Sequence, residues 1–406
     1  MRLGYSLLTD SIITSVSNQT GIPQQFGIQG APQGPGLGGL PNINIPGLTF
    51  IGPGNFAAPN TRTSDTRQLT ENLTKIRGAH TFKGGFEGQW LRYAYDNPRA
   101  ALGGFNFDST FTGIPGGGGL GAGMATLLLT PIPATVPNGV NYDGGPGYLI
   151  ADSNVAPDNI RRYYGLYFQD DWKVTPKLTL NLGIRWEYFS LPMNRYGAEA
   201  NFESGPPGAG AAYVINSASK NVALSPAFTS QLAKDGIALQ YNSTPGIIPV
   251  PKDNFAPRIG FAYQPTSKLV IRSSYGIFFA GFENLGSVDE GYNYPFAVEP
   301  ALGDSTGGTL PLWAQHPAAF PNGQISTLET GLLAVNPNPA SPAFNPQGLS
   351  LKGFAKPWHT GYTQEWNFTV QYALTKDDSI QAAYIGNHSL HLLNDYRSNA
   401  PSIYLQ

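Results

Sequence analysis

Four times along the chain, two segments of alternating apolar and polar residues are joined by a short turn. The turns are Arg77-Gly78-Ala79-His80, Thr175-Pro176-Lys177, Pro265-Thr266-Ser267-Lys268 and Thr375-Lys376-Asp377-Asp378. Between one pair and the next lie roughly 60 to 80 residues rich in Gly, Pro and Asn, far beyond an ordinary connection. An up-and-down antiparallel sheet sends every second connection to the same edge. All tight turns then fall on one side and all long loops on the other, the asymmetry of membrane-spanning β-barrels.

The segment from Leu178 to Tyr188 shows the pattern without a break. Leu178, Leu180, Leu182, Ile184, Trp186 and Tyr188 share one face, and Thr179, Asn181, Gly183, Arg185 and Glu187 share the other. A period of two is that of a strand. At roughly 3.3 Å per residue and a tilt of about 40°, it crosses the ~25 Å apolar band of a barrel. Trp186 and Tyr188 end the apolar face, where an interfacial ring can stay half wet.

Other segments repeat the alternation. Tyr164, Leu166, Phe168 and Trp172 share a face that Asp170 interrupts. Ile259, Phe261 and Tyr263 precede the third turn, and Leu269, Ile271, Tyr275, Ile277 and Phe279 follow it. Trp366, Phe368, Val370, Tyr372 and Leu374 lead to the fourth, with Ile380, Ala382 and Tyr384 beyond. The first pair is the weakest: Phe82, Phe86 and Trp90 alternate with polar residues, and Leu69–Ile76 is largely polar. These strands run about nine to eleven residues, the length of membrane strands, whereas soluble strands average about five or six.

The intervening stretches read as loops. Residues 97–160 carry Gly116–Gly119 and seven prolines, 191–252 carry Gly205-Pro206-Pro207-Gly208, and 283–360 carry Asn336-Pro337-Asn338-Pro339. Leu120–Thr130 is apolar enough for a short helix or a loop plug. Residues 1–60 are ambiguous between strand and loop, with Leu7–Val16 a candidate strand, and residues 61–406 read as a partial outer-membrane barrel.

Composition excludes several classes. Only 12% of residues are charged, and 50 Gly with 35 Pro suit turns better than helices. No apolar run is long enough for a transmembrane helix. A net charge of −2 without a basic patch gives no reason to expect nucleic acid. The absence of Cys removes disulfides and thiolate metal sites.

No chemistry-bearing constellation emerges. Gly116–Gly123 lacks the strand, helix and acidic residue of a phosphate loop. His388 and His391 fall on opposite faces of a strand, His80 lies in a turn, and His316 and His359 lie in or beside a loop, so no metal site is expected. Asp170 and Asp171 point apart, with Asp171 expected towards a polar lumen opposite a base such as Arg185; Asp377-Asp378 is turn chemistry. No catalytic residue, cofactor site or metal site is expected, and the ligand-binding residues are unknown.

The run from Tyr164 to Tyr188, containing Gln169-Asp170-Asp171-Trp172 and Thr175-Pro176-Lys177, resembles the signature hairpin of TonB-dependent outer-membrane receptors, most closely the Oar-like subgroup. Asn72–Gly85, Asn254–Tyr263 and Glu365–Gln371 resemble the same subgroup in order and spacing. The resemblance implies a barrel of about 22 strands, of which this chain would supply about eight to ten. It also implies a plug and a TonB box, neither recognisable here, as are neither a signal peptide nor a C-terminal aromatic strand; the chain stops at Ser402-Ile403-Tyr404-Leu405-Gln406. The expected fold is therefore an all-β, antiparallel transmembrane barrel, partial, with long extracellular loops. Its expected partners are outer-membrane lipid, the TonB complex through an N-terminal part, and an unknown ligand at the loops. Arg185, Glu187, Arg258, Arg272 and Gln371 would line the lumen. A passive outer-membrane pore or an adhesin-like surface barrel is the alternative.

Overall fold

The computed structural model describes residues 1–53, 60–96, 100–113, 121–129, 145–153, 157–205, 210–281, 290–307, 310–321, 324–340, 344, 346 and 349–394. The expectations placed on Gly116–Gly119, on Pro206–Gly208 and on the last residues lie outside them.

Nine long strands form one antiparallel meander. They are β1 Arg2–Ile12, β2 Asn60–Arg77, β3 His80–Asp96, β4 Asp158–Thr175, β5 Leu178–Phe189, β6 Asn254–Thr266, β7 Leu269–Ala280, β8 Gly361–Ala373 and β9 Ser379–Leu390. Each pairs with the next, and the two-residue strand Met193–Asn194 adds to β4. Among the described residues β1 and β9 are not paired with each other, so the sheet is an open arc of a barrel wall. Turns join β2 to β3, β4 to β5, β6 to β7 and β8 to β9, all at one end. Gly78 takes φ +58° in the first of them, a conformation that suits glycine. In the last, Thr375 Oγ1 donates to Asp378 Oδ2 at 2.8 Å and accepts from the Asp378 amide at 3.0 Å, as expected for turn chemistry.

Register sets the faces. Leu182 opposes Asp170 on β4 and Ile259 on β6, while Asn181 opposes Asp171 and Gly260. The alternation predicted for β5 thus carries through its neighbours as an apolar outer face and a polar inner one. The outer face is uncovered: Phe168 is 53% exposed and Ile259 56%. A wall one sheet thick that turns its large apolar side chains outward is built for hydrocarbon. Among the described residues no helix is long and apolar enough to cross a membrane.

Three strand lengths depart from expectation. β2 and β4 each hold 18 residues and β3 holds 17, and at about 3.3 Å per residue they outreach the apolar band. The far ends of β2 and β4 are polar, so apolar alternation could not report them. The first strand spans Arg2–Ile12 rather than Leu7–Val16, because its partner is the polar far half of β2.

The long connections are loops in topology only. They fold together into a body at the far end of the sheet, where the buried side chains concentrate. One core joins Ile28, Ile43 and Ile45 to Phe105, Phe107 and Leu149 and to Leu312, Leu332 and Val335, drawing on three separate connections. It is backed by a four-stranded sheet in which Gly104–Asn106 pairs with Asn42–Asn44 and Tyr148–Ile150, the last pairing in turn with Ala301–Gly303. A second core, with Tyr213, Phe228, Leu232, Tyr294 and Phe344, packs on a three-stranded sheet. There Ala211–Asn216 runs through the helix Pro226–Lys234 to the parallel strand Ile237–Asn242. Ser225 caps that helix by accepting from the Ala227 amide at 3.2 Å. Within Leu120–Thr130, residues Gly123–Leu128 form a helix, and Thr126 is fully buried.

Candidate functional site

Two surfaces face away from lipid: the inner wall of the arc and the folded body. The inner wall is most elaborate across β3, β4 and β5. The Arg185 guanidinium lies 2.9 Å from Glu187 Oε1 and 3.3 Å from Glu87 Oε2, and also donates to the Tyr163 hydroxyl. Tyr163 donates to Glu187 Oε1 at 2.8 Å. Gln68 and Gln89 each donate to Glu87 Oε1 at 3.0 Å. Below this group, Asp171 accepts from Lys83 at 2.7 Å, Gln169 at 2.8 Å and Asn181 at 2.6 Å.

Glycines make room for the network. A Cβ on Gly165 would sit 2.7 Å from Arg185 Nη2 and 2.8 Å from the Tyr163 oxygen. A Cβ on Gly85 would meet Tyr167 Cε1 at 2.5 Å, and Tyr167 lies flat enough there to donate to Asn72 Oδ1 at 2.7 Å. The Arg185 guanidinium also sits 5.9 Å from the centre of the Tyr167 ring. Each acid in this patch is thus matched by a base or amide donors, giving a polar wall held in one arrangement.

The residues expected to line the lumen share the inner face. Arg185 and Glu187 belong to the network; Arg272 donates to Gln371 Oε1 at 3.2 Å, and Arg258 lies 4.6 Å from the centre of the Phe278 ring. One pairing differs from expectation: Asp171 meets Lys83, not Arg185. The β3–β4 register, with Thr81 opposite Asp171, brings Lys83 within reach, while Arg185 sits higher beside Glu87. That register is not encoded in the alternation of either strand.

The histidines are dispersed. His80 opens β3 instead of lying in the turn, and its Nδ1 is 2.7 Å from Asp170 Oδ2 on the outer face, between the Phe82 and Trp172 rings. His391 lies just past β9 with φ +54° and stacks on His359 at 4.7 Å, while His388 stays on β9. Among the described residues no group of three His, Cys, Asp or Glu side chains could hold a metal ion.

The body carries its own buried polar groups. Glu199 accepts from Asn216 at 2.6 Å and from the Asn194 amide at 2.8 Å, and burial pushes its carboxyl above the usual carboxylate range. Tyr213 donates to the Tyr294 carbonyl, and burial drives its hydroxyl well up. Leu191, Ile248 and Phe354 pack at the base of the body beside the ends of β5, β6 and β8. Trp186 ties this base to the wall by donating to the Lys252 carbonyl at 2.7 Å.

No curated protein matches the chain. Among solved structures it is similar to the copper transporter OprC at 10% identity, covering 82% of this chain and 30% of that one, with a TM-score of 0.32. The ferric enterobactin receptor PfeA of Pseudomonas aeruginosa gives 10% identity, 84% and 27% coverage, and a TM-score of 0.32. The siderophore receptor PiuA of Acinetobacter baumannii gives 12%, 85% and 41%, and 0.28. The chain spans well under half the length of each of these proteins. A family model described as an outer membrane beta barrel domain matches residues 1–405, and with its outward apolar wall and polar lumen the chain belongs to that outer-membrane family.

Proposed function

We propose that this chain forms part of the barrel and the extracellular head of a TonB-dependent receptor that imports a ligand across the outer membrane. The Oar-like resemblance of its hairpins is the family affiliation we infer. The observation that carries the reading is the inner wall of β3–β5, where Arg185 bridges Glu87 and Glu187 and Lys83 holds Asp171. A fixed polar wall suits a lumen occupied by another polar surface, which slides or loosens against it when energy is supplied. The ligand meets the folded body first. The action is binding and gating, with no bond made or broken.

The full-length protein in planar bilayers tests this. A plugged, energised receptor stays closed and binds the periplasmic domain of TonB in solution. A steady open conductance with no such binding would replace this reading with a passive pore. The folded body favours a second reading, a surface adhesin; tight binding of the body to host or matrix glycans, with no TonB contact, would select it.

A further inference from the structure

The outer face of β2, β3 and β4 changes character above the apolar band. Trp90 stands between two arginines in register, opposite Arg67 on β2 and Arg162 on β4. Trp90 donates to the Tyr164 hydroxyl at 3.1 Å, and Tyr164 stacks on Tyr188, so these rings form a row at one level. Rings of this kind mark the boundary between hydrocarbon and headgroups. Arg92 lies two residues further up β3, and Arg195 reaches the same carboxylate, Asp158, at 3.0 Å. Three arginines thus gather about two acids, since Asp65 takes Arg67 at 3.0 Å and Asp158 takes Arg92 and Arg195. The carboxylates are tucked beneath: the Asp65 and Asp158 side chains are 11% and 15% exposed, against 67% for Arg67. Arg162 is exposed and makes no ion pair among the described residues.

Just below this cluster the same face holds a shallow groove of about 590 Å³, lined by Leu3, Tyr5, Arg67, Leu69 and Trp90. Its walls are mostly apolar, with Gln68 and Arg67 also lining it. An apolar furrow that runs into exposed guanidiniums at the headgroup level has the two halves of a lipid's chemistry. Arg67 holds Asp65 through Nε and Nη2 at 3.2 and 3.0 Å, which leaves its Nη1 for a further acceptor. The Arg162 fork has no carboxylate on it among the described residues and can meet phosphate oxygens bidentately.

We propose that this face is a binding site for a phosphate-bearing lipid of the outer leaflet, with one acyl chain in the groove and the phosphate against Arg67 and Arg162. It goes beyond the import reading and rests on the outer-membrane placement with the long connections facing outward. The full-length protein is reconstituted into phosphatidylcholine nanodiscs containing lipid A or enzymatically dephosphorylated lipid A. Lipid that remains bound after transfer to detergent is then counted by native mass spectrometry. Lipid A is expected to be retained, and its dephosphorylated form to be lost by tenfold or more. Arg67→Gln with Arg162→Gln should lower retention by about fivefold per arginine, and Leu69→Trp, which fills the groove, should lower it with the arginines intact. Equal retention of the two lipids by the wild-type protein overturns the proposal whether or not the variants fold. So does full displacement of lipid A by millimolar inorganic phosphate, which would mark a free-anion site.

Discussion

Replacing Ile184 by Arg places a guanidinium on the outer face near the middle of β5, where the structure offers it nothing. Its cross-strand neighbours there are Phe168 on β4 and Pro257 on β6, both apolar. A cationic side chain on the lipid face near the bilayer midplane costs a barrel about 2–4 kcal/mol. Leu182→Arg, one step down the same face, should cost less. Its partner on β4 is Asp170, whose Oδ2 is held by His80 but whose Oδ1 is buried without a hydrogen bond. A guanidinium at that position can donate to that oxygen. Asn181→Arg, on the inner face beside Asp171, should cost well under ~1 kcal/mol, since water and a carboxylate both solvate it. The expected order of cost is therefore Ile184→Arg, then Leu182→Arg, then Asn181→Arg. Guanidinium titrations of the full-length protein folding into phosphatidylcholine bilayers would measure it. If Asn181→Arg proved as costly as Ile184→Arg, the assignment of faces would be wrong. If Leu182→Arg matched Ile184→Arg, Asp170 would not be open to a partner.

Three further outcomes follow from the same structure. A Cys at Lys220, in the body, should react with an impermeant maleimide on intact cells, whereas one at Lys177, in a tight turn, should react only after the outer membrane is opened; the reverse would invert the topology. Gly165→Val should cost about 1–3 kcal/mol by pushing Arg185 from Glu187, while Gly183→Val, whose Cβ has 3.5 Å or more on every side, should cost less in the same titration. Glu199 has its folded pKa raised by burial, so the stability it contributes is present at acid pH and lost as pH rises through the folded value. Hydrogen exchange of residues 190–253 should therefore slow as pH falls from neutral into the carboxylate range, after correction for intrinsic rates, and Glu199→Gln should flatten that trend.

The wall was legible in the sequence because a strand with lipid on one side and water on the other must alternate strictly, as Leu178–Tyr188 does. The one-sided connection lengths supplied the topology. The body was illegible for the opposite reason. Phe105, Phe107 and Leu149 are buried by residues such as Ile43 and Leu332 that lie far along the chain, and segments three residues long carry no period. Proline and glycine content made these stretches look unstructured, although their apolar residues build two substantial cores. At the inner wall, residue types were readable but partners were not. Lys83 and Arg185 are both bases within reach of the lumen, and only the offset between β3 and β4 decides which one meets Asp171.

The largest core of the body has a consequence for the order of assembly. Its side chains come from the connections that follow β1, β3 and β7, so the last contributors, Leu302 to Val335, are made after most of the wall. Closing contacts between segments so distant in sequence is slow, because the chain entropy is lost before the contacts form. If the wall assembles in chain order, the connection 13–53 cannot complete this core until β7 and the segment after it are in place. Surface proteolysis during biogenesis should find residues 20–50 cleavable at first and protected only once residues 300–335 have crossed. The head core thus reports that the wall has been laid down as far as β7, and a chain stalled before that point would carry an exposed segment that a longer one has hidden.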